Sequence, residues 1–502
     1  MKMKRNILSL ICLLALFSCK KELNLSDPTQ KSTANFYKSQ SEIEQAVNGS
    51  YSNLQNLTLN AWIFEELPSD NTTIQINAAD RGQTDRIEEY EYYNVKPQNT
   101  NVQTLWSQTY NAIYNVNYTL SKIPSANIAS DAKKNQYTGE LEFLRAYHYF
   151  QLVQMFGDVV LVTAPLTTAS DAFNTTRSPS ADVYKQIVAD LTDAAAKLPS
   201  KSQYAAADIG RATKDAAIGL LGKVYLTEHD YKDAETTLRQ VLTMGYTLNV
   251  NYADNFDITK KNGPESLFEV QYQGNNNLGE ASNFEYTFLP LYSYGAITGF
   301  PSANPNGFNI PTRSIINEFE AGDKRFAVSL APNYTDANGN TVAIPYIKKY
   351  VWPHTIVYAS NSNWPVLRYS DVLLMLAEAI NEEGGPTSDA YAYLNQVRTR
   401  AGLSPVSGLD QTSFRTAVSH ERRVELCFEN DRWFQLKRSM STTDLTNYLV
   451  SYAATELANP SVTRSGIPFA PSDYQFQSYM LLYPIPFQQI YLDHKLTQNP
   501  GY

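Results

Sequence analysis

A mainly α-helical, tetratricopeptide-like repeat scaffold with one long loop-rich insert is the fold class this sequence predicts. Three observations lead there. Apolar residues recur at helical spacing through the first half of the chain, and two copies of a helix–turn–helix pattern stand far apart. Between those copies, roughly 246–365, helical periodicity gives way to Gly, Asn, Pro and aromatic residues.

The chain opens on a segment outside that scaffold. Lys2, Lys4 and Arg5 precede an apolar run, 7–17, of signal-peptide length. It is shorter than the roughly 20 residues a helix needs to cross a bilayer. The run closes on Ser18-Cys19, with Lys20 and Lys21 directly behind. An apolar run, a small residue and then Cys resembles the lipobox of bacterial lipoproteins. That resemblance implies cleavage before Cys19 and acylation (palmitate-type chains) of its thiol and new amino group. Each buried CH₂ contributes about 0.8 kcal/mol, so several chains on one residue anchor stably without a spanning helix. The expected divisions are a signal peptide over 1–18, a lipid-anchored tether over 19–40, an N-terminal helical repeat region over 41–245 and a C-terminal region over 246–502 that contains the insert, 246–365.

Cysteine count and charge narrow the classes. Cys12 would leave with the signal and Cys19 would carry lipid, so Cys427 stands alone and no intramolecular disulfide can form. The fold must rest on its core, which a chain of 502 residues can easily bury. Formal charge is −9, and cleavage would remove three cations and no acid to leave −12. Such a surface repels phosphate backbones, which argues against nucleic acid as a partner.

The helices follow in order. Ile43, Ala46, Val47, Tyr51 and Leu54 mark one amphipathic face. Trp106, Tyr110, Ile113, Asn117 and Leu120 mark a second, ending before Pro124. A third runs through "GELEFLRAYHYFQLVQMFG", with Gly157 placed as its C-terminal cap, and Val183, Ile187, Leu191, Ala194 and Leu198 mark a fourth stopped by Pro199. Then "IGLLGKVYLTEHDYKDAETTLRQVL" sets Leu221-Gly222-x-x-Tyr225 before Ala234 and Leu238, the offsets of a tetratricopeptide repeat. Small Gly222 and Ala234 let two helices approach, while Tyr225 and Leu238 fill the seam. The second copy sets Leu376-Ala377-x-x-Ile380 before Ala390 and Leu394.

Within the insert, 271–310 holds eight aromatics, seven Asn, five Gly, three Pro and no Lys or Arg. Gly and Asn permit positive φ and Pro breaks helices, so this is long, shaped loop, and loops of that length in a compact domain are usually functional.

Four segments now point to one family: "LRAYHYFQLVQMFGDVVLV", "LRYSDVLLMLAEAIN", "HERRVELCFENDRWFQLKR" and the terminal "YPIPFQQIYLDHKLTQNPGY". Together, in this order, they resemble the signature stretches of the SusD/RagB family of outer-membrane nutrient-binding lipoproteins. The resemblance implies a helical fold on tetratricopeptide-like repeats. It also implies a partner, a SusC-like TonB-dependent transporter, and a ligand that is an oligosaccharide or polysaccharide or, in the RagB branch, a peptide. The family usually faces outward; the Lys20-Lys21-Glu22 stretch is only weakly acidic, so surface exposure rests on the family. No cofactor is implied.

Other constellations read as structure. The five His are never closer than 66 residues, so no pair has metal-ligand spacing, and Cys427 has no second Cys to share a zinc site. His420 and Cys427, seven apart, are expected on one helix. Val424, Cys427 and Phe428 form an apolar stripe there, so the thiol reads as a buried small hydrophobe and not a nucleophile. Glu421, Arg422, Arg423, Glu425, Glu429, Asp431 and Arg432 are expected on that helix, and Arg368, Asp371 and Glu378 on another. Opposite charges at such spacing read as ion-pair networks locking helices together. Arg145 reads the same way. A glycoside hydrolase would need two carboxylates facing across a sugar-sized gap.

The ligand candidates are aromatic and polar loop residues. Flat rings cover the apolar faces of sugars while Asn, Asp and Arg bond the hydroxyl rim. Tyr outnumbers Phe by 35 to 21, and its hydroxyl suits a half-exposed platform. Tyr272, Tyr286, Tyr292, Tyr294, Trp352 and Trp364 lie in or near the insert, with Trp364 abutting the Arg368 motif. Tyr92 and Tyr93 lie before the Trp106 helix, and "ELPSDN" supplies Asp70 and Asn71, with Arg81 beyond. The expected function is non-catalytic capture of oligosaccharide for the transporter. Peptide binding with the same partner, a surface hydrolase and a purely protein-binding scaffold stand as alternatives.

Overall fold

The computed structural model of the protein describes residues 36–502 other than 77, 79, 80, 167 and 277, with backbone alone at 81–84. The signal segment and Cys19 lie outside the described residues. α1 is Gln40–Glu65, α2 Arg81–Glu91, α3 Thr100–Lys122, α4 Asp131–Phe156, α5 Ser180–Lys197, α6 Lys214–Thr227 and α7 Tyr231–Val241. After the insert come α8 Tyr369–Gly384, α9 Ser388–Ala401, α10 Gln411–Glu425, α11 Arg432–Ser439 and α12 Thr442–Ala458.

Local chemistry sets these limits. Ser39 and Glu42 form a capping box at the start of α1, and the Asn99 side chain accepts the N–H groups of Asn101 and Val102 to open α3. Pro124 and Pro199 stand just past α3 and α5, where they cannot continue a helix. α4 ends at Gly157, whose φ of +71° suits a residue without Cβ. α4 is buried on nearly every side because α1, α3 and α5 all pack on it, so it needs no polar face.

Neighbouring helices then stack in sequence: α3 on α4, α4 on α5, α5 on α6, α6 on α7. The next contact skips the insert, for α7 packs directly on α8, which also receives α9 and α10. β1 (Ser266–Val270) and β2 (Trp364–Arg368) pair antiparallel, Ser266 opposite Arg368 and Val270 opposite Trp364. This two-stranded ladder closes the base of the insert and lets the repeat continue as if uninterrupted. The largest apolar cluster draws on both sides of the 245/246 division.

Both repeat seams fall in the expected register. Ala234, Leu238, Leu376, Ala377, Ala390 and Leu394 are all fully buried. A Cβ added to Gly222 would lie 2.4 Å from the Leu238 side chain, so the glycine sets the α6–α7 approach. Gly222→Leu is expected to overpack this seam and cost about 1–3 kcal/mol. An unchanged urea midpoint would show the seam can give way.

The charged stretch after residue 420 departs from expectation in one respect. α10 ends at Glu425, and Phe428 and Asn430, both at positive φ, turn the chain before α11. Cys427 therefore lies beyond the helix that holds His420, and Glu429 and Asp431 sit on the turn. Arg368 is likewise the cap residue before α8, at the end of β2. The turn folds these charges inward onto one another. Arg368 meets Glu265 and Glu425 at 2.8 Å and Glu429 at 2.8 Å. Arg400 pairs with Glu265 and Glu425, Arg325 with Asp323, Glu421 and Glu425, and Arg422 with Asp371 and Asp431. Burial would raise the Glu425 carboxyl, but Arg400, Arg368 and Arg325 outweigh it and hold it well below the usual carboxylate range. The network ties α8, α9, α10 and the insert together. In the other half Arg145 of α4 grips Asp190 of α5 at 2.6 Å.

Candidate ligand-binding surface

The insert builds its outer end from a loop that closes on itself. Asn306 N–H donates to the Tyr286 carbonyl, Gly307 N–H to Leu289 and Phe308 N–H to Thr287, at 2.9–3.0 Å. Gln75 braces the same loop from another part of the chain, accepting Leu291 N–H on its side chain and donating its own N–H to the Gly307 carbonyl, both at 2.8 Å. These main-chain groups are thus paired within the loop or with Gln75.

On this base stand Tyr292 and Tyr294, 56% and 47% exposed, with ring centroids 6.2 Å apart. Tyr358 is 43% exposed, and its hydroxyl accepts the N–H of Asn304 in the same loop at 2.7 Å. All three hold positive φ, at 64°, 40° and 63°. Left-handed backbone costs a side-chain-bearing residue roughly 1–2 kcal/mol. Strain of this kind collects where a surface is shaped for use. Beneath Tyr358 the Tyr286 ring packs at 4.5 Å, and its hydroxyl meets His354 Nε2 at 2.5 Å.

Of the residues expected from sequence, then, Tyr292 and Tyr294 face outward together. Most of the others do not. Tyr272 is buried with its hydroxyl donating to the Gln55 carbonyl at 2.7 Å, and Tyr286 is buried as described. Trp364 lies within β2, stacked on Tyr350 at 5.0 Å. Trp352 is half-buried, its Nε1 donating to the Lys349 carbonyl at 3.0 Å. Tyr92 and Tyr93 pack in a separate apolar cluster with Trp433, Leu436 and Tyr474, and Arg464 donates to the Tyr92 hydroxyl. Asp70 is fully buried, bound by Arg432 at 2.8 Å, by Arg423 at 2.9 Å and by the Tyr448 hydroxyl. Burial acts to raise it, but the two guanidinium groups hold it well below the carboxylate range. Asn71 donates to Glu66 and accepts from Arg423, both at 2.9 Å. Saturated partners leave Asp70 and Asn71 as struts with no oxygen to offer a ligand. The Arg81 side chain and Cys19 lie outside the described residues. Tyr358 was missed, although an aromatic among the Asn and Ser residues of "VYASNSN" carries the same signal as Tyr292.

Two further arrangements bear on chemistry. Cys427 is buried and its thiol is pushed up to about 11, chiefly by burial, so it is a poor nucleophile. His420 is held by Glu318 at 2.9 Å, which raises its pKa. Among the described residues no group of three His, Cys, Asp or Glu is placed to hold a metal ion. A second exposed aromatic pair, Phe487 and Tyr491, lies near the C-terminus, apart from the insert.

The described fold is a helical repeat that carries exposed tyrosines at positive φ on a long insert. Known proteins share this architecture. The profile described as SusD family matches residues 328–502, and one described as starch-binding associating with outer membrane matches 23–226. SusD-like protein P2 of Formosa agariphila is 26% identical, over 99% of this chain and 100% of that one. Starch-binding protein SusD of Bacteroides thetaiotaomicron is 23% identical over 74% of each. The solved structure of a laminarin-binding SusD-like protein superposes with a TM-score of 0.74 at 25% identity, covering 93% of this chain and 100% of that one. The chain is thus similar, in both halves and over nearly its whole length, to proteins of the SusD/RagB family.

Proposed function

We propose that the chain is a non-catalytic glycan-binding lipoprotein of the outer membrane, anchored through Cys19, that captures oligosaccharides and passes them to a SusC-like TonB-dependent transporter. The observation that carries this reading is the exposed pair Tyr292 and Tyr294, with exposed Tyr358 bonded to the same loop, all at positive φ. Exposed rings of this kind cover the apolar faces of a sugar, and tyrosine hydroxyls stay hydrated or bond its rim. Relatives named for binding starch and laminarin support a carbohydrate ligand, and the profile name supports association with the outer membrane. The commitment of Glu425 and Asp70 to arginines supports the non-catalytic reading.

The experiment is a glycan and peptide array on the acyl-free chain, followed by calorimetry with laminarin and starch oligosaccharides. Saturable binding to a glycan without release of reducing ends is the expected result. Binding confined to peptides would transfer the substrate class to the RagB-like alternative. Steady release of reducing ends would make the protein a hydrolase.

A further inference from the structure

Under Tyr358 and Phe300 lies a buried cluster of carboxyl, imidazole and phenol. Glu285, on the short helix Phe284–Phe288, is 2% exposed. Its Oε2 has no hydrogen-bond partner and stands 3.5 Å from His354 Nδ1. That Nδ1 is 2.9 Å from the Trp352 carbonyl, which can only accept, so Nδ1 carries the proton. Nε2 is then the acceptor for the Tyr286 hydroxyl at 2.5 Å. The Phe300 ring lies against the imidazole at 4.9 Å, and the Tyr286 ring lies against Tyr358 at 4.5 Å. One imidazole in one tautomer therefore joins the short helix, the 295–300 turn and the 352–358 segment.

We propose that Glu285, His354 and Tyr286 are positioning residues that hold the Phe300–Tyr358 flank of the tyrosine surface, and that the hold is firm while Glu285 keeps its proton. As a device for ligand binding this rests on the function proposed above; as a property of the loop it stands alone. The titratable groups facing Glu285 are His354, Tyr286 and, through Tyr286, Tyr358. The strand Tyr346–Ile347 that packs on the helix brings no charged side chain, and Lys349 beyond it is bound to Glu429. Among the described residues, no Lys or Arg ion pair reaches Glu285. Burial pushes its carboxyl up to about 8, against a smaller pull from the Trp352 main chain. An opened loop exposes the carboxyl to water, where it ionises near 4.5. The closed form thus binds a proton that the open form has lost. Closure is strongest at low pH, weakens about tenfold per pH unit between about 5 and 8, and levels off above that.

The test is amide hydrogen exchange on the whole chain without ligand, from pH 5.5 to 8, corrected for intrinsic rates. Segments 286–308 and 352–360 are followed in the parent, Glu285→Gln, His354→Gln and His354→Leu. The parent's local opening is expected to rise at least about tenfold over this range, and Glu285→Gln to abolish the slope. A glutamine oxygen can accept from Tyr286 where leucine cannot, so His354→Gln should protect the loop better than His354→Leu. A flat parent, a slope retained in Glu285→Gln, or equal exchange in the two His354 variants overturns the proposal. If His354→Leu does not fold, Glu285→Gln decides alone. Laminarin titration of the parent separates the two readings: pH-dependent parent exchange with no glycan bound at any pH condemns the ligand assignment, and tight binding with flat parent exchange condemns the cluster.

Discussion

Arg368→Met is expected to lower the unfolding free energy by about 3–5 kcal/mol, read as a large fall in urea midpoint at pH 7. Arg368 is 2% exposed and bonds Glu265, Glu425 and Glu429, with Ser370 as a fourth partner. Methionine keeps much of the volume and removes the charge, so the loss is electrostatic and not a cavity. Three buried carboxylates then share only Arg400, Arg325 and Lys349. The acid limb should move as well. Glu425 is held below its ordinary value, so its contribution is present above the unfolded pKa and lost as pH falls through the folded one. Without Arg368 the folded value rises, and acid unfolding should begin at higher pH. A cost below about 1 kcal/mol would mean that the remaining cations carry the site unaided.

The second large effect divides function from stability. Removing one stacking ring at the tyrosine surface is expected to weaken glycan binding by about thirtyfold, the equivalent of roughly 2 kcal/mol. Tyr292→Ala tests this by calorimetry. Tyr294→Gly tests it with an opposite sign in stability. Tyr294 sits at φ 40° and ψ −129°, a conformation glycine adopts freely. Its replacement should raise the melting temperature by relieving about 1 kcal/mol or more of strain while binding falls. A protein that gains stability and loses ligand at the same substitution has its strained tyrosine for binding. Unchanged affinity in both variants would move the site elsewhere, with the family resemblance untouched.

Much of the scaffold could be read from the sequence because its causes are local. The stripe of Ile43, Val47 and Leu54, the glycine stop at Gly157 and the seam of Gly222 with Leu238 depend on residues within one or two turns or one helix pair. The network of Arg368, Glu425 and Asp431 was also foreseeable in kind, since charges interleaved so densely need partners. Its geometry was not, because the turn at Phe428 and Asn430 that folds it inward uses left-handed backbone without glycine.

The site was legible only in part. Composition marked the insert and picked out Tyr292 and Tyr294, but the same composition marked Tyr272, Tyr92 and Asp70. Sequence by itself determined the repeat scaffold, the resemblance to SusD/RagB proteins and an aromatic, loop-rich insert. Which candidates stay exposed was decided by tertiary contacts: Tyr272 is covered by Gln55, 217 residues away, and Asp70 by Arg432, 362 residues away. Helical periodicity is written in spacings of three and four. Exposure of a loop side chain depends on whatever distant segment folds over it, and no local pattern records that.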